Sequence, residues 1–136
     1  MTPRETIQSL YEAFGRADVS YMVELFGDDA RLEPWEGNTA VESGRIPYLK
    51  RRVGRSGAAD FFASLACAEV KSFAVTGYLE GQNEVCVKVS IELLIKATGK
   101  SLRDDELHLW TVDAAGRITS LRHYVDTAKH IDANTP

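Results

Sequence analysis

Glu106-Leu107-His108-Leu109-Trp110-Thr111-Val112-Asp113-Ala114-Ala115-Gly116-Arg117-Ile118-Thr119-Ser120-Leu121-Arg122-His123-Tyr124-Val125-Asp126-Thr127 is a pair of alternating runs joined by a turn. Asp113-Ala114-Ala115-Gly116 carries the turn chemistry, and antiparallel pairing through it sets Val112 opposite Arg117. Continuing that register puts Trp110 opposite Thr119, His108 opposite Leu121 and Glu106 opposite His123. Directly opposed Cβ atoms lie about 5 Å apart and diagonal ones about 7 Å, so Glu106, His108 and His123 form a triangle of titratable groups. Alternation alone does not say which side is buried, because Leu107 and Leu109 compete with His108 and Trp110. A one-residue slip would turn the triangle to the other face.

Upstream of this hairpin the pattern has period two. Val70 to Glu80 reads as a strand turned by Gly81-Gln82-Asn83, and Glu84 to Ala97 as a second strand with Val85, Val87, Val89, Ile91, Leu93 and Ile95 on one face. Thr98-Gly99-Lys100 then turns into the strand that ends at Val112. The N-terminal part is helical in pattern. Thr2 can cap, Pro3 suits the first helical position and Glu5 completes a capping box. Ile7, Leu10, Tyr11 and Phe14 follow at helical spacing up to Gly15. Asp18 caps a second helix carrying Val19, Met22, Val23 and Phe26, with Gly27 as its stop. Arg31-Leu32-Glu33 is a short strand broken at Pro34. Residues 36–55 read as a long loop of the kind that forms a lid or part of a site. Ser56 or Gly57 opens a third helix with Phe61, Phe62, Leu65 and Ala66. Helices followed by an antiparallel meander describe an α+β domain spanning residues 1–136, with the helices on one face of the sheet.

Composition narrows the function classes. The 136 residues are 44% hydrophobic and 26% charged, as in an ordinary globular protein. A net charge of −4 argues against a nucleic-acid binder, which needs clustered Lys and Arg. The one basic run, Lys50-Arg51-Arg52 with Arg45 and Arg55 nearby, reads as a solvated loop, or else as a lid that attracts an anionic ligand. Cys67 and Cys86 read as small buried hydrophobes of a reducing compartment. No apolar run approaches membrane-spanning length and the N-terminus has no apolar signal region, so the expected location is the cytoplasm, with no membrane partner.

Phe26-Gly27-Asp28-Asp29-Ala30, Ile46-Pro47-Tyr48, Ala97-Thr98-Gly99-Lys100, Gly116-Arg117-Ile118 and Arg122-His123-Tyr124-Val125-Asp126-Thr127 occur in this order along nearly the whole chain. In that order they resemble the cone-shaped fold of nuclear transport factor 2, ketosteroid isomerase and the SnoaL-like polyketide cyclases. The resemblance implies three helices packed on a strongly curved, mainly antiparallel sheet around an apolar pocket, with the outer sheet face forming a homodimer. It also implies that Asp104, Glu106, His108, Trp110 and Val112 point inward from the fifth strand, and Leu121, His123 and Val125 from the sixth. Departures from named activities are equally informative. The catalytic Asp slot of ketosteroid isomerases falls on Pro34 and their helical Tyr on Leu10, next to Tyr11; their third slot holds His108. The Arg and Asp of limonene epoxide hydrolases meet Val89 and Ile91, and their second Asp meets His123. The chain is therefore expected to be neither a standard ketosteroid isomerase nor a limonene epoxide hydrolase. SnoaL-like cyclases place a His at His108 and an acid at His123, where this chain has a second imidazole.

Imidazoles in a semi-apolar pocket transfer protons near neutral pH. The expected catalytic set is His123 as general base or acid, Glu106 orienting it, and His108 donating to a developing oxyanion. Trp110, Phe61, Phe62, Leu93 and Val125 would supply apolar surface for a small hydrophobic molecule. Trp35 would line the mouth, and Tyr48 with the 45–55 loop would cover the entrance. No cofactor is expected, although two histidines and a carboxylate also match a facial metal triad. His130 reads as part of a terminal tail, and Asp126 and Tyr124 as strand-end or dimer residues. A non-catalytic ligand-binding module and a dimerisation domain are the competing readings.

Overall fold

The computed structural model of the protein describes residues 1–33 and 37–136. Helix α1 (Pro3–Gly15) starts at the Thr2/Glu5 capping box foreseen from the sequence and buries Ile7, Leu10 and Ala13. Thr2→Ala removes the side-chain acceptor for the Glu5 amide and is expected to lower stability by about 1 kcal/mol, measurable as a shifted urea midpoint. Helix α2 (Val19–Glu24) is capped by Asp18. It stops earlier than the sequence suggested: Phe26 belongs not to this helix but to strand β1 (Phe26–Glu33), where it is fully buried.

The expected long loop contains more structure than its Gly, Pro and charge content signalled. Asn38 caps a one-turn helix α3 (Thr39–Glu42), and strand β2 (Arg52–Val53) pairs with β1. Helix α4 (Gly54–Ser64) begins two residues before the expected Ser56. Gly54 has φ +74°, and a Cβ there would stand 2.8 Å from the Asp28 carbonyl oxygen, so only glycine lets α4 lie this close to β1. The basic run is not simply solvated either. Arg52 is buried, pairs with Asp60 at 2.7 Å and donates to the carbonyls of Pro47, Tyr48 and Lys50, pinning this segment to α4.

Strands β3 (Ala68–Glu80), β4 (Glu84–Ile95), β5 (Ser101–Val112) and β6 (Ile118–Tyr124) follow. The curved six-stranded sheet has the order β2-β1-β6-β5-β4-β3, antiparallel throughout except for the β1–β6 pair. It is the helix-covered α+β roll expected of the chain. The main core lies between α1, α4 and the inner sheet face, where Val85, Val87, Val89, Trp110 and Val112 meet Ile7, Leu10 and Phe26. A second cluster at the other end gathers Ile46, Tyr48, Leu49, Ile95 and Leu102. Cys67 and Cys86 are unpaired and half-buried rather than core residues. No described helix is long and apolar enough to cross a membrane.

Two features of the C-terminal hairpin differ from expectation. Asp113 Oδ1 accepts from the Ala115 and Arg117 amides and holds a longer turn, and a bulge follows between Thr111 and Val112. Together they shift the pairing by two residues, so that His108 lies opposite His123 and Trp110 opposite Leu121, not Glu106 opposite His123. A two-residue shift preserves parity, so Asp104, Glu106, His108, Trp110 and Val112 are all buried. The supposed tail is a helix, α5 (Thr127–Ala133), with Asp126 as its N-cap.

Candidate active site

Strand alternation builds the site. From β5, Glu106 and His108 project to the inner face, and β6 brings His123 directly across from His108. The two imidazole rings meet edge to face with centroids 4.5 Å apart. Glu106 Oε1 lies 3.1 Å from His108 Nε2 and 2.8 Å from His123 Nε2. Its Oε2 lies 3.1 Å from Nε2 of His130, a residue the sequence reading set aside. His130 has no exposed surface; α5 carries it in, and its Nε2 also lies 2.8 Å from Asp104 Oδ2. The Asp126 cap followed by His130 and Ala133 at helical spacing was the signal for that buried face.

Two tyrosines complete the network. Tyr11, from α1, stacks on His108 and places its hydroxyl 2.5 Å from Nδ1, while Trp110 Nε1–H donates to the same hydroxyl at 3.0 Å. Tyr48 is 3% exposed, with its hydroxyl 2.5 Å from His130 Nδ1. It is thus an interior wall rather than a cover over the entrance.

The charges follow from these contacts. Burial pushes the Glu106 carboxyl up, but its electrostatic interaction with the adjacent His123 ring and hydrogen bonds from three imidazoles outweigh it, holding Glu106 well below the usual carboxylate range. Burial, with the electrostatic influence of the adjacent His123 ring, brings His108 down to about 4. For His130 burial acts downward, yet Glu106 and Asp104 together leave it raised. Burial raises Asp104, which has one imidazole partner rather than three. Burial also raises Tyr11 and Tyr48.

Because Glu106 is ionised and accepts, neutral His108 carries its proton on Nε2 and takes the Tyr11 proton at Nδ1. His123 likewise has Nε2–H on Glu106. Its Nδ1 is buried and has no hydrogen-bond partner among the described residues. Donor atoms of Glu106, His108 and His123, and of Asp104, Glu106 and His130, gather within 4.8 Å as a metal site would require. Hydrogen bonding between acid and imidazole accounts for both gatherings, since each imidazole Nε2 already faces a carboxylate oxygen.

A cavity with about 730 Å³ of empty space, mouth included, opens over this network. Its walls are almost entirely carbon. Of the apolar residues chosen from the sequence, Trp110, Phe61, Phe62 and Leu93 line it, as does Tyr48. Val125 does not; it packs against the second cluster. Trp35 lies outside the described residues. A smaller cavity of about 250 Å³ shares His123, Phe61, Tyr48 and Leu121 with the first and reaches Glu33 and Lys50.

The SnoaL-like domain model matches residues 7–121. The chain belongs to the SnoaL-like family. An NTF2-like protein from Burkholderia thailandensis is similar at 20% identity, with a TM-score of 0.85 over 100% of this chain and 99% of its own. TerC, co-crystallised with polyporic acid, is similar at 20% identity and TM-score 0.77, over 98% of each chain. A putative SnoaL-like polyketide cyclase from Mesorhizobium loti is similar at 23% identity and TM-score 0.70, over 91% of this chain and 99% of its own. At these identities the likeness establishes the fold. No protein of curated function matches the sequence.

His108 also gives this SnoaL-like domain a defined pH response. Its folded value lies below that of the unfolded chain, so below pH 6.5 the unfolded state binds a proton that the folded state refuses, down to about 4. Stability therefore falls with acidification through that window, by at most about 1.4 kcal/mol per pH unit for a single proton. His130 has the opposite shift: its stabilisation is complete below the unfolded value and is lost only as pH rises through its raised folded value. The raised Asp104 opposes His108 at the acid end. Urea titrations at pH 5 and 6.5 are expected to show the lower midpoint at pH 5, and His108→Gln to flatten the difference.

Proposed function

We propose that this chain is a cofactor-independent acid/base enzyme acting on a small hydrophobic molecule, of isomerase, cyclase, dehydratase or hydrolase type. The observation that carries this reading is His123: one ring nitrogen is held by an ionised carboxylate, and the other is buried beside a mainly apolar cavity with no hydrogen-bond partner among the described residues. A buried lone pair without a donor is unfavourable until a substrate proton meets it. His123 is the base, Glu106 fixes its tautomer, and the His108–Tyr11 pair lies on the side where charge would develop. Both His108 nitrogens are engaged within the protein, so a substrate oxygen takes the Tyr11 proton in place of His108 Nδ1, and His108 acts through Tyr11. The neighbours named as a putative polyketide cyclase and as a co-crystal with polyporic acid support a small organic molecule as the ligand.

That same saturation of His108 favours a second reading, a ligand-binding domain whose polar floor is closed and does no chemistry. The two readings separate in heavy water. Ketone ligands that raise the melting temperature are incubated with the protein and followed by mass spectrometry. Deuterium entering carbons beside the carbonyl faster than in buffer is expected of the enzyme. Binding without exchange or conversion leaves the binding module.

The outer sheet face supports a homodimer. Leu79, Cys86 and Leu109 lie side by side across β3, β4 and β5, and Leu107 is 44% exposed on the same face. Analytical ultracentrifugation is expected to find twice the 15.1 kDa chain mass; a monomer at high concentration removes the assignment.

A further inference from the structure

Glu106 is the meeting point of two hydrogen-bonded arms of the same construction. On Oε1, Trp110 donates to Tyr11 at 3.0 Å, Tyr11 pairs with His108 Nδ1 at 2.5 Å, and His108 Nε2 reaches the carboxylate at 3.1 Å. On Oε2, Asn134 Nδ2 donates to Tyr48 at 3.3 Å, Tyr48 pairs with His130 Nδ1 at 2.5 Å, and His130 Nε2 reaches the carboxylate at 3.1 Å. The arms differ in charge. The first serves one carboxylate, whereas the second lies between two, because Asp104 Oδ2 is 2.8 Å from His130. Among the described residues neither Asp104 nor Glu106 pairs with Lys or Arg. Ionised carboxylates taken out of water need a cation, and here only imidazoles are at hand.

Three histidines compete for that role. His108 is disfavoured as the cation by its burial beside His123. His123 touches Glu106 alone, while His130 touches both acids. We propose that His130, delivered by α5, is the resident counter-charge of the Asp104–Glu106 pair and so a positioning residue that leaves His123 free to accept protons. The proposal rests on His123 being the base. Glu106 alone beside His123 would hold a proton on it and remove the lone pair that base chemistry needs; a cation already on Oε2 weakens that hold. His123, His130 and α5 all lie beyond residues 7–121, the span the family match covers, whereas Glu106 and His108 lie within it.

The surroundings of both rings enter the charge balance. His130 faces Asp104 and Glu106 from β5, Tyr48 from the segment before β2, and Asn134 at the end of its own helix. Around α5, Lys129 Nζ bonds the Arg103 carbonyl, Asp126 Oδ1 caps the Lys129 amide, and Lys100 Nζ bonds the Asp132 backbone carbonyl. His123 faces Glu106 and His108 from β5 and Phe61 from α4, with Glu33, Tyr48 and Lys50 around the smaller cavity.

The test is an NMR titration of the histidine rings in the full chain without ligand, for which three histidines give a simple spectrum. In the wild-type protein His130 is expected to hold its proton to higher pH than a free histidine. His130→Gln keeps a donor toward the carboxylates but loses the charge, and the His123 titration midpoint is expected to rise by about one pH unit. His130→Lys restores a cation and is expected to bring the midpoint back toward wild type. A neutral His130 at pH 6, or a His123 midpoint unmoved by His130→Gln, overturns the proposal. Should both variants fail to fold, the wild-type charge of His130 still decides. If these titrations come out as stated while bound ketones exchange no deuterium, the enzyme reading fails and the counter-charge assignment stands.

Discussion

Glu106→Ala is expected to cost about 3–5 kcal/mol of folding stability, the range for removing one partner from a buried ion-paired network. A single carboxylate accepts from His108 at 3.1 Å, His123 at 2.8 Å and His130 at 3.1 Å. Its loss strands two imidazole N–H groups with no other acceptor among the described residues and leaves the third on Asp104. Each buried donor without a partner carries a desolvation penalty of about 1–3 kcal/mol. The truncation also removes a charge that the imidazoles stabilise, so the pH dependence changes with it. Glu106→Gln is expected to cost less, because the amide oxygen still accepts on one side while its NH2 confronts an imidazole N–H on the other. Urea unfolding at pH 7 measures both variants, with an unchanged m-value confirming that only stability moved. A loss below about 1 kcal/mol for the alanine variant would mean that the imidazoles find other partners and that Glu106 is not the hub.

The legible part of this molecule was the part governed by local pattern. The Thr2/Glu5 box announced α1, and the Val85–Ile95 alternation announced β4 and its buried face. What failed depended on groups the pattern does not encode. Asp113 Oδ1 bonding two amides, with the bulge at Thr111/Val112, set a register two residues from the one the turn dipeptides suggested. The error was harmless to facing because a shift of two preserves parity, yet it changed the geometry: His108 and His123 became direct partners, with Glu106 bridging them from one pair away. His130 was missed for another reason. Its role comes from a contact across 26 positions to Asp104; the Asp126 cap and the helical spacing of His130 and Ala133 mark a buried helix face, but nothing local marks the acids that face meets. The 47–52 segment hid its order similarly, since Arg52 holds it through three backbone carbonyls, contacts that composition reads as charge and solvent.

His123→Ala is expected to slow ligand deuterium exchange by 10²- to 10⁴-fold, the usual worth of a positioned general base. The mechanism isolates this residue. The substrate proton passes to Nδ1 with no competing protein partner, the carbanion's charge is delocalised onto the carbonyl oxygen near Tyr11, and Glu106 balances the imidazolium that forms. Removing the ring deletes the acceptor but leaves His108, His130 and Tyr11 bonded as before, so the polar floor and most of the carbon wall survive. Ligand-induced stabilisation in thermal shift is therefore expected to persist while exchange is lost, a split that a general loss of structure would not produce. His123→Asp, which puts a carboxylate at the position where the resemblance to SnoaL-like cyclases implies one, discriminates further. Beside ionised Glu106 the new acid repels its neighbour, so the variant is expected to be no better than alanine at neutral pH. Exchange surviving at the wild-type rate in His123→Ala would transfer the base to another group. The phenolate of Tyr11 is the poorest substitute, because burial raises its hydroxyl well above the ordinary tyrosine range. A solvent hydroxide reaching the cavity would then be the candidate, and the protein would supply only the site that holds the ligand.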